Sequence, residues 1–394
     1  MKDLVYLDNN ATTRIADEVL EAMLPWLGDQ FGNPSAGYRF GKSARRAIET
    51  AREQVAALID ASPDEIVFTS GGTESLNTAL RAARLTRPDR RRLVLSSVEH
   101  SAVYEAALSA EKEGQAAVTL VPVSESGRLD LEAWADSLDD ETVVANLIWA
   151  NNETGVLSPI HEAGEIALGR DVYFHSDAVQ AVGKVPVSVK KNPVHALSLS
   201  GHKFHGPKGI GALYLNRHAR FSPTFYGGGQ ESNRRSGTEN VAAIVGLGLA
   251  AEMAQARIES DTTAAATRDR FERELLEALP DCLVNGDRTN RLPNTSNIYF
   301  PGIDGEGLLI LLDEAGICCS PGSACSTGSV QPSRIIRAMG HSSSRARSSV
   351  RFSLSLATDT AEIEQAISEI VKAAKKLRVV LGDRTTRVIS SRNY

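Results

Sequence analysis

The sequence predicts an α/β fold, a mostly parallel mixed sheet flanked by helices, with a smaller α+β domain after about residue 260. Short β-branched and apolar runs alternate with helical patterns through the first two-thirds of the chain. Residues 264–279 then turn charged and helical, and beyond Asn294 strand patterns return mixed with two helices. A length of 394 residues is too great for one small core and suits one large or two medium domains.

Residues 66–69 read as a strand, followed by a helix over 75–85; 93–96 read as a strand, followed by a helix over about 102–113. Strands over 118–122, 143–149, 172–175, 196–199 and 211–215 complete the series. In the second part, 296–300, 317–319 and 350–353 carry strand patterns. The tail over 382–394 lacks apolar periodicity.

Composition narrows the function. A formal net charge of −6 gives no reason to expect a nucleic-acid partner, and the basic run 87–92 reads as a solvated helix end and turn. The opening residues MKDLVYLDNNATT have no apolar h-region, so no secretory leader is expected. The stretch 241–251 is broken by Glu252 and reads as too short to span a bilayer. Four cysteines, Cys282, Cys318, Cys319 and Cys325, make no disulfide framework and contain no CxxC metal pair, so a cytoplasmic protein with reduced thiols and no metal is expected.

In parallel sheets, ligands gather at the carboxyl ends of the strands. There the residues become informative. After 66–69 come Ser70-Gly71-Gly72-Thr73-Glu74 and a helix, which reads either as a phosphate cradle of free backbone N–H groups or as a glycine turn capped by Thr73 or Ser75. After 93–96 comes Glu99-His100; after 143–149, Asn151-Asn152-Glu153; after 172–175, Ser176-Asp177 and, shortly beyond, Gln180. After 196–199 comes the loop "SGHKFHGPKG", with His202, Lys203, His205 and Lys208. A buried acid facing a ring nitrogen holds it protonated, and a lysine of lowered basicity joins an aldehyde. Phosphate, ring nitrogen and aldehyde are the three handles of pyridoxal 5'-phosphate. The alternative is an anion-binding loop in which Lys203 is only a phosphate partner.

The motifs "YLDNNATT", "FGNPSA", "FTSGGTES", "VEHSAV", "WANNETG", "HSDAVQAVGK", "SLSGHKFHGPKG", "GGGQESNRRSGTEN", "LPNTSNI" and "GSACSTGS" occur in this order between Tyr6 and about Leu356. In this the chain resembles the cysteine desulfurases of the NifS/IscS group, fold type I pyridoxal-phosphate enzymes of the class-V aminotransferase kind. The resemblance implies a large cofactor-binding domain over 15–259 and a small domain from 1–14 and 260–394. It implies that Lys203 is joined to the cofactor, that Asp177 pairs with the ring nitrogen, that Gln180 bonds the ring hydroxyl and that His100 stacks on the ring. Asn152 would sit near the ring and the substrate carboxylate. Gly72, Thr73, Ser200 and His202 would hold the phosphate, with Thr238 reaching the phosphate of the other subunit of a homodimer. Arg351, in "SSVRFSLS", would bind the carboxylate of L-cysteine.

Cys325 decides the reaction. It lies among Gly, Ser and Ala, which give a loop little side-chain anchorage, whereas Cys318 and Cys319 follow an apolar run and read as core residues. The expected chemistry is conversion of L-cysteine to L-alanine, with sulfur held as a persulfide on Cys325 for an acceptor protein of iron–sulfur assembly or thiolation. His100 is the expected proton carrier at sulfur, because an unperturbed imidazole titrates near neutrality. The chain departs from its relatives at Gln230, where many have histidine, and at Pro321, in a usual Ser-Ser-Gly. Another enzyme of the same fold, an aminotransferase or a selenocysteine lyase, is one rival reading, and a cofactor-free scaffold or binding protein that kept the fold is the other.

Overall fold

The computed structural model describes residues 4–260, 263–321, 332–355 and 358–390. Cys325, and with it most of the 320–330 loop, lies outside the described residues. The chain opens with β1 (Val5–Tyr6), α1 (Asp17–Leu27) and α2 (Arg39–Leu58). Then β2 (Ile66–Thr69), α3 (Gly72–Thr86), β3 (Arg92–Ser96), α4 (Ser101–Lys112) and β4 (Ala117–Val121) follow. The alternation continues through α5 (Leu131–Ser137), β5 (Thr142–Ile148), α6 (Ile160–Gly169), β6 (Tyr173–Asp177), β7 (Ala196–Ser200) and β8 (Gly211–Leu215).

These seven strands, β2 to β8, form one sheet in the order β2-β8-β7-β6-β5-β3-β4. Strands β4, β3, β5, β6 and β7 run parallel, and β8 is antiparallel to both β7 and β2. The central strands are buried along their whole length because helices cover both faces, so Thr142–Ile148 reads TVVANLI without alternation. The expected strand over 172–175 extends to Asp177, which is therefore the last residue of β6 and not a residue beyond it.

Helix α7 (Val241–Ser260) continues through Glu252, so the apolar stretch expected to stop at 251 is longer than read from the sequence. By length and composition its first 18 residues could cross a membrane. It packs against α1 and α2 instead, with Leu247, Ala250, Ala251 and Ala254 in the core under the sheet. Gly248 permits this approach, since a Cβ there would lie 2.6 Å from Ala51 Cα.

The remaining elements are α8 (Thr263–Ala278), β9 (Leu283–Val284), β10 (Thr295–Tyr299), α9 (Gly305–Glu314), β11 (Ile317–Cys318) and β12 (Ser320–Pro321). After them come α10 (Arg334–Ala338), α11 (Ser343–Arg347), β13 (Ser349–Ser353) and α12 (Thr360–Ser390), so helix continues through residue 390 where no periodicity was read. Strands β12-β13-β10-β9 form a second, antiparallel sheet. Its core joins Phe271 and Leu275 of α8 to Phe352, Ile363 and Ile370, together with Val5 and Leu7 from the N-terminal segment. That segment starts in the second core, where β1 pairs with β11, and then crosses to the carboxyl edge of the large sheet.

The basic run is only partly solvated. Arg87 and Arg90 both bond Asp171, and Arg92 pairs with Asp139. Cys318 and Cys319 are half-buried, with Cys319 packed against the second core, so neither is a fully enclosed core residue.

Candidate active site

The carboxyl ends of β6 and β7 bring the acid and the amine together. Register pairs Asp177 with Ser198 and Ile148, which fixes the acid at the sheet edge. It is 3% exposed, and its Oδ1 accepts from Val179 N at 3.0 Å. Burial raises its pKa to about 6, against the pull of Val179 N–H and the Lys203 ammonium.

Lys203 ends a single turn of 3-10 helix that follows β7 directly. The loop is tight: a Cβ on Gly206 would lie 2.8 Å from Gly201 O, and His205 takes a left-handed φ of 69°. Lys208 is exposed in the following turn. Lys203 Nζ donates to the carbonyls of Asn10 at 2.6 Å and Ala11 at 2.8 Å. Burial, then the Arg351 guanidinium, lowers its pKa to about 8, while Asp177 and Asp8 oppose them. An amine so placed gives up its proton near neutrality, as joining an aldehyde requires.

Helix α3 begins at Gly72 with no side chain capping it, and Gly71 ahead of it has φ 146°. The alternative of a turn capped by Thr73 or Ser75 is therefore not what the structure has. A Cβ on Gly72 would lie 2.8 Å from Val179 Cγ2 and 3.6 Å from Ser200 Cβ, so this open helix end is pressed against the turn after Asp177 and the end of β7. Thr73 is exposed in the first helical turn. His202 bonds Thr12 through Nδ1 at 3.1 Å, and burial with the nearby Lys203 lowers its pKa to about 4. Thr238 is exposed beyond Gly237.

His100 is the N-cap of α4: its Nδ1 accepts from Ala102 N at 3.1 Å. That bond leaves the proton of the neutral ring on Nε2. Burial, helped by Lys203, Arg334 and Arg351, lowers its pKa to about 4. The expectation of an imidazole titrating near neutrality is thus corrected; this ring is a neutral N–H donor at pH 7. Glu99 before it accepts from Ser96 Oγ, Asn146 Nδ2 and Ile148 N, and Arg334 donates to the carbonyls of Ser97 and Glu99. These bonds fix the loop that presents His100.

Gln180, 4% exposed, donates Nε2 to Asn10 O at 2.8 Å and accepts from Lys184 Nζ. Arg351 in β13 donates Nη1 to Asn152 O at 3.0 Å and Nη2 to Asp8 Oδ1 at 2.7 Å. Two buried atoms here have no partner, Arg351 Nε and Asn152 Oδ1. Nearby, Cys319 has its pKa raised well above the usual thiol range by burial and by Asp8, so it stands as a thiol and not a thiolate.

Three residues were not singled out from sequence. Asn10, 1% exposed, accepts from Lys203, Gln180, Lys184 and Asn294 and donates to Asn152 O, Thr295 Oγ1 and Ser353 Oγ. Lys184, held by Asn10 Oδ1 at 2.8 Å, has its pKa lowered by burial and by Lys203. Asp8 is the third. Asn10 and Asp8 lie in the motif "YLDNNATT", and Lys184 closes "HSDAVQAVGK", so the motifs carried a signal that local pattern did not resolve.

The site fits pyridoxal phosphate. An uncapped helix N-terminus suits the phosphate, the buried Asp177 needs a cationic partner, and the unpartnered Asn152 Oδ1 and Arg351 Nε lie beside an amine of lowered basicity. The pattern of the aminotransferase class-V family matches residues 5–366. The chain is 48% identical to a cysteine desulfurase of Trichormus azollae, with 96% of this chain and 94% of that protein covered. It is also 48% identical to the cysteine desulfurase NifS of Azotobacter vinelandii, over 95% of this chain and 94% of that one. A solved structure described as a NifS-like protein superposes with a TM-score of 0.88 at 34% identity, covering 95% of this chain and all of that one.

Proposed function

The chain belongs to the aminotransferase class-V family, and from that premise we infer that it is a pyridoxal-phosphate-dependent cysteine desulfurase that leaves sulfur on Cys325. Similarity to named desulfurases along nearly the whole chain is the observation that carries the reading. When bound, pyridoxal phosphate supplies an aldehyde for an amino group and an electron-withdrawing ring that stabilises negative charge at Cα.

Lys203 would be the amine that holds the cofactor's aldehyde, and its side chain would move the Cα proton of L-cysteine. Asp177 would keep a proton on the ring nitrogen, the opposite charge offsetting its own burial. Gln180 would bond the ring hydroxyl, while Gly72, Thr73, Ser200 and His202 would hold the phosphate. Thr238 reaches the phosphate of a second subunit. Exposed Leu24, Leu27, Phe31 and Tyr226 support such a homodimer, since apolar side chains of this size favour burial. Arg351 and Asn152 take the substrate carboxylate. His100, neutral with its proton on Nε2, donates that proton toward the substrate sulfur or carbon. The Cys325 thiolate takes the sulfur, and the electron pair of the broken Cβ–S bond stays on carbon and is protonated. L-cysteine and an enzyme thiol thus become L-alanine and an enzyme persulfide. A reduced, cytoplasmic setting and a protein acceptor of sulfur complete the reading; Cys282, Cys318 and Cys319 are unpaired.

Mass spectrometry of the protein after incubation with L-cysteine tests this. One added sulfur on the Cys325 peptide, with L-alanine released in equal amount, is expected. Sulfur on Cys318 or Cys319, or a keto acid in place of alanine, contradicts it.

A further inference from the structure

Arg351 already has a carboxylate. Asp8 Oδ1 accepts from its Nη2 at 2.7 Å, and the two side chains are only 8% and 17% exposed. The pairing is incomplete. Asp8 turns its second oxygen to Ser320 Oγ at 2.8 Å, Nη1 goes to the peptide oxygen of Asn152, and Nε is buried with no acceptor. A guanidinium binds a carboxylate best through two parallel N–H bonds, and a buried donor left unpaired is destabilising. A free α-carboxylate on the Nε and Nη2 edge would make both bonds, and at Nη2 it meets the like charge of Asp8, already seated there.

We propose that Asp8 is a resident carboxylate that competes with the substrate's for Arg351 and so sets the affinity threshold that any carboxylate must exceed. The backbone of Asp8 is fixed by its bridge to Ser353, with Asn9 N bonding Ser353 O at 3.0 Å, so exchange needs only its side chain to turn. Ser320, the cross-strand partner of Arg351, keeps a hydroxyl donor for the displaced oxygens. A simple monocarboxylic acid has nothing but Arg351 with which to displace Asp8. An amino acid is anchored a second time through its amino group, so it prevails where a simple acid does not. Asp8 thereby weakens every carboxylate by one factor, which leaves a simple acid unbound at concentrations where an amino acid, held at two points, still binds.

The proposal rests on Arg351 as the carboxylate anchor, and the test separates the two. Dissociation constants of propionate and L-alanine are measured on the loaded enzyme, by calorimetry and by the change in cofactor absorption, for the natural protein, Asp8→Asn, Asp8→Ala and Arg351→Ala. Both Asp8 variants are expected to bind both probes about tenfold more tightly, by a common factor. Weaker or unchanged binding in Asp8→Ala, with Asp8→Asn confirming the sign in a variant of the same shape, overturns the competitor and makes Asp8 only a support for Arg351. Binding untouched by Arg351→Ala overturns the anchor itself, and the competitor with it.

Discussion

Asp177 and Lys203 each carry an electrostatic cost that the other only partly relieves. Ionised Asp177 is buried, and its pKa of about 6 stands above the ordinary value of 3.8. Between those values the native state holds a proton that the unfolded chain has lost, so stability falls as pH rises through the window, and the penalty is complete above about pH 6. Asp177→Asn has no charge to bury. Without cofactor it is expected to be more stable than the natural protein by about 3 kcal/mol at pH 7 and equal to it below about pH 4, as read by urea unfolding, while its cofactor dissociates more readily. Equal stability at pH 7 contradicts the buried charge. Both residues were legible in the sequence because each ends a buried apolar run, where a charged residue needs a reason. The state of His100 was not legible, since it comes from burial first, then from the charges of Lys203, Arg334 and Arg351, all far along the chain, and from a cap on its own helix.

Among the elements, the loop over 227–238 shows how a strained segment is held. Glu231, Ser232 and Asn233 all have left-handed φ, from 49° to 65°, a conformation that costs side-chain-bearing residues energy. Glu231 offsets it by accepting from both Arg52 Nη atoms at 2.8 Å and from Phe68 N at 2.9 Å. Arg235 bonds Glu74 in the first turn of α3, so the segment leading to Thr238 is tied to the proposed phosphate end. Glu231→Gln leaves Arg52 buried with only the exposed Glu49 as a charge partner, and a loss of about 3 kcal/mol in urea unfolding is expected. A loss below about 1 kcal/mol contradicts the anchor. The motif was visible in sequence, but its physical reason was not, because Arg52 and Glu231 lie 179 residues apart. Most strand and helix positions in the large sheet were readable within a few residues, since buried parallel strands are unmistakably apolar. The two-residue strands β11 and β12 owe their pairing to long-range contacts and leave little local pattern.

For the molecule as a whole, the site lies where two cores meet. The large sheet contributes Asp177, Lys203 and His100; the second sheet contributes Arg351; and the N-terminal segment, through Asn10, bonds groups from both. Sequence alone gave the ten motifs in order but not that convergence, because Asn10 meets Lys203 across 193 residues and Ser353 across 343. The fold also places a second amine beside the first, since Lys184 and Lys203 share Asn10, and burial together with the Lys203 charge lowers the basicity of Lys184. Trapping the cofactor bond with borohydride, then digesting and sequencing the labelled peptide by mass spectrometry, decides which amine the fold presents. The cofactor mass is expected on Lys203 alone; its appearance on Lys184, or on neither lysine, contradicts the account.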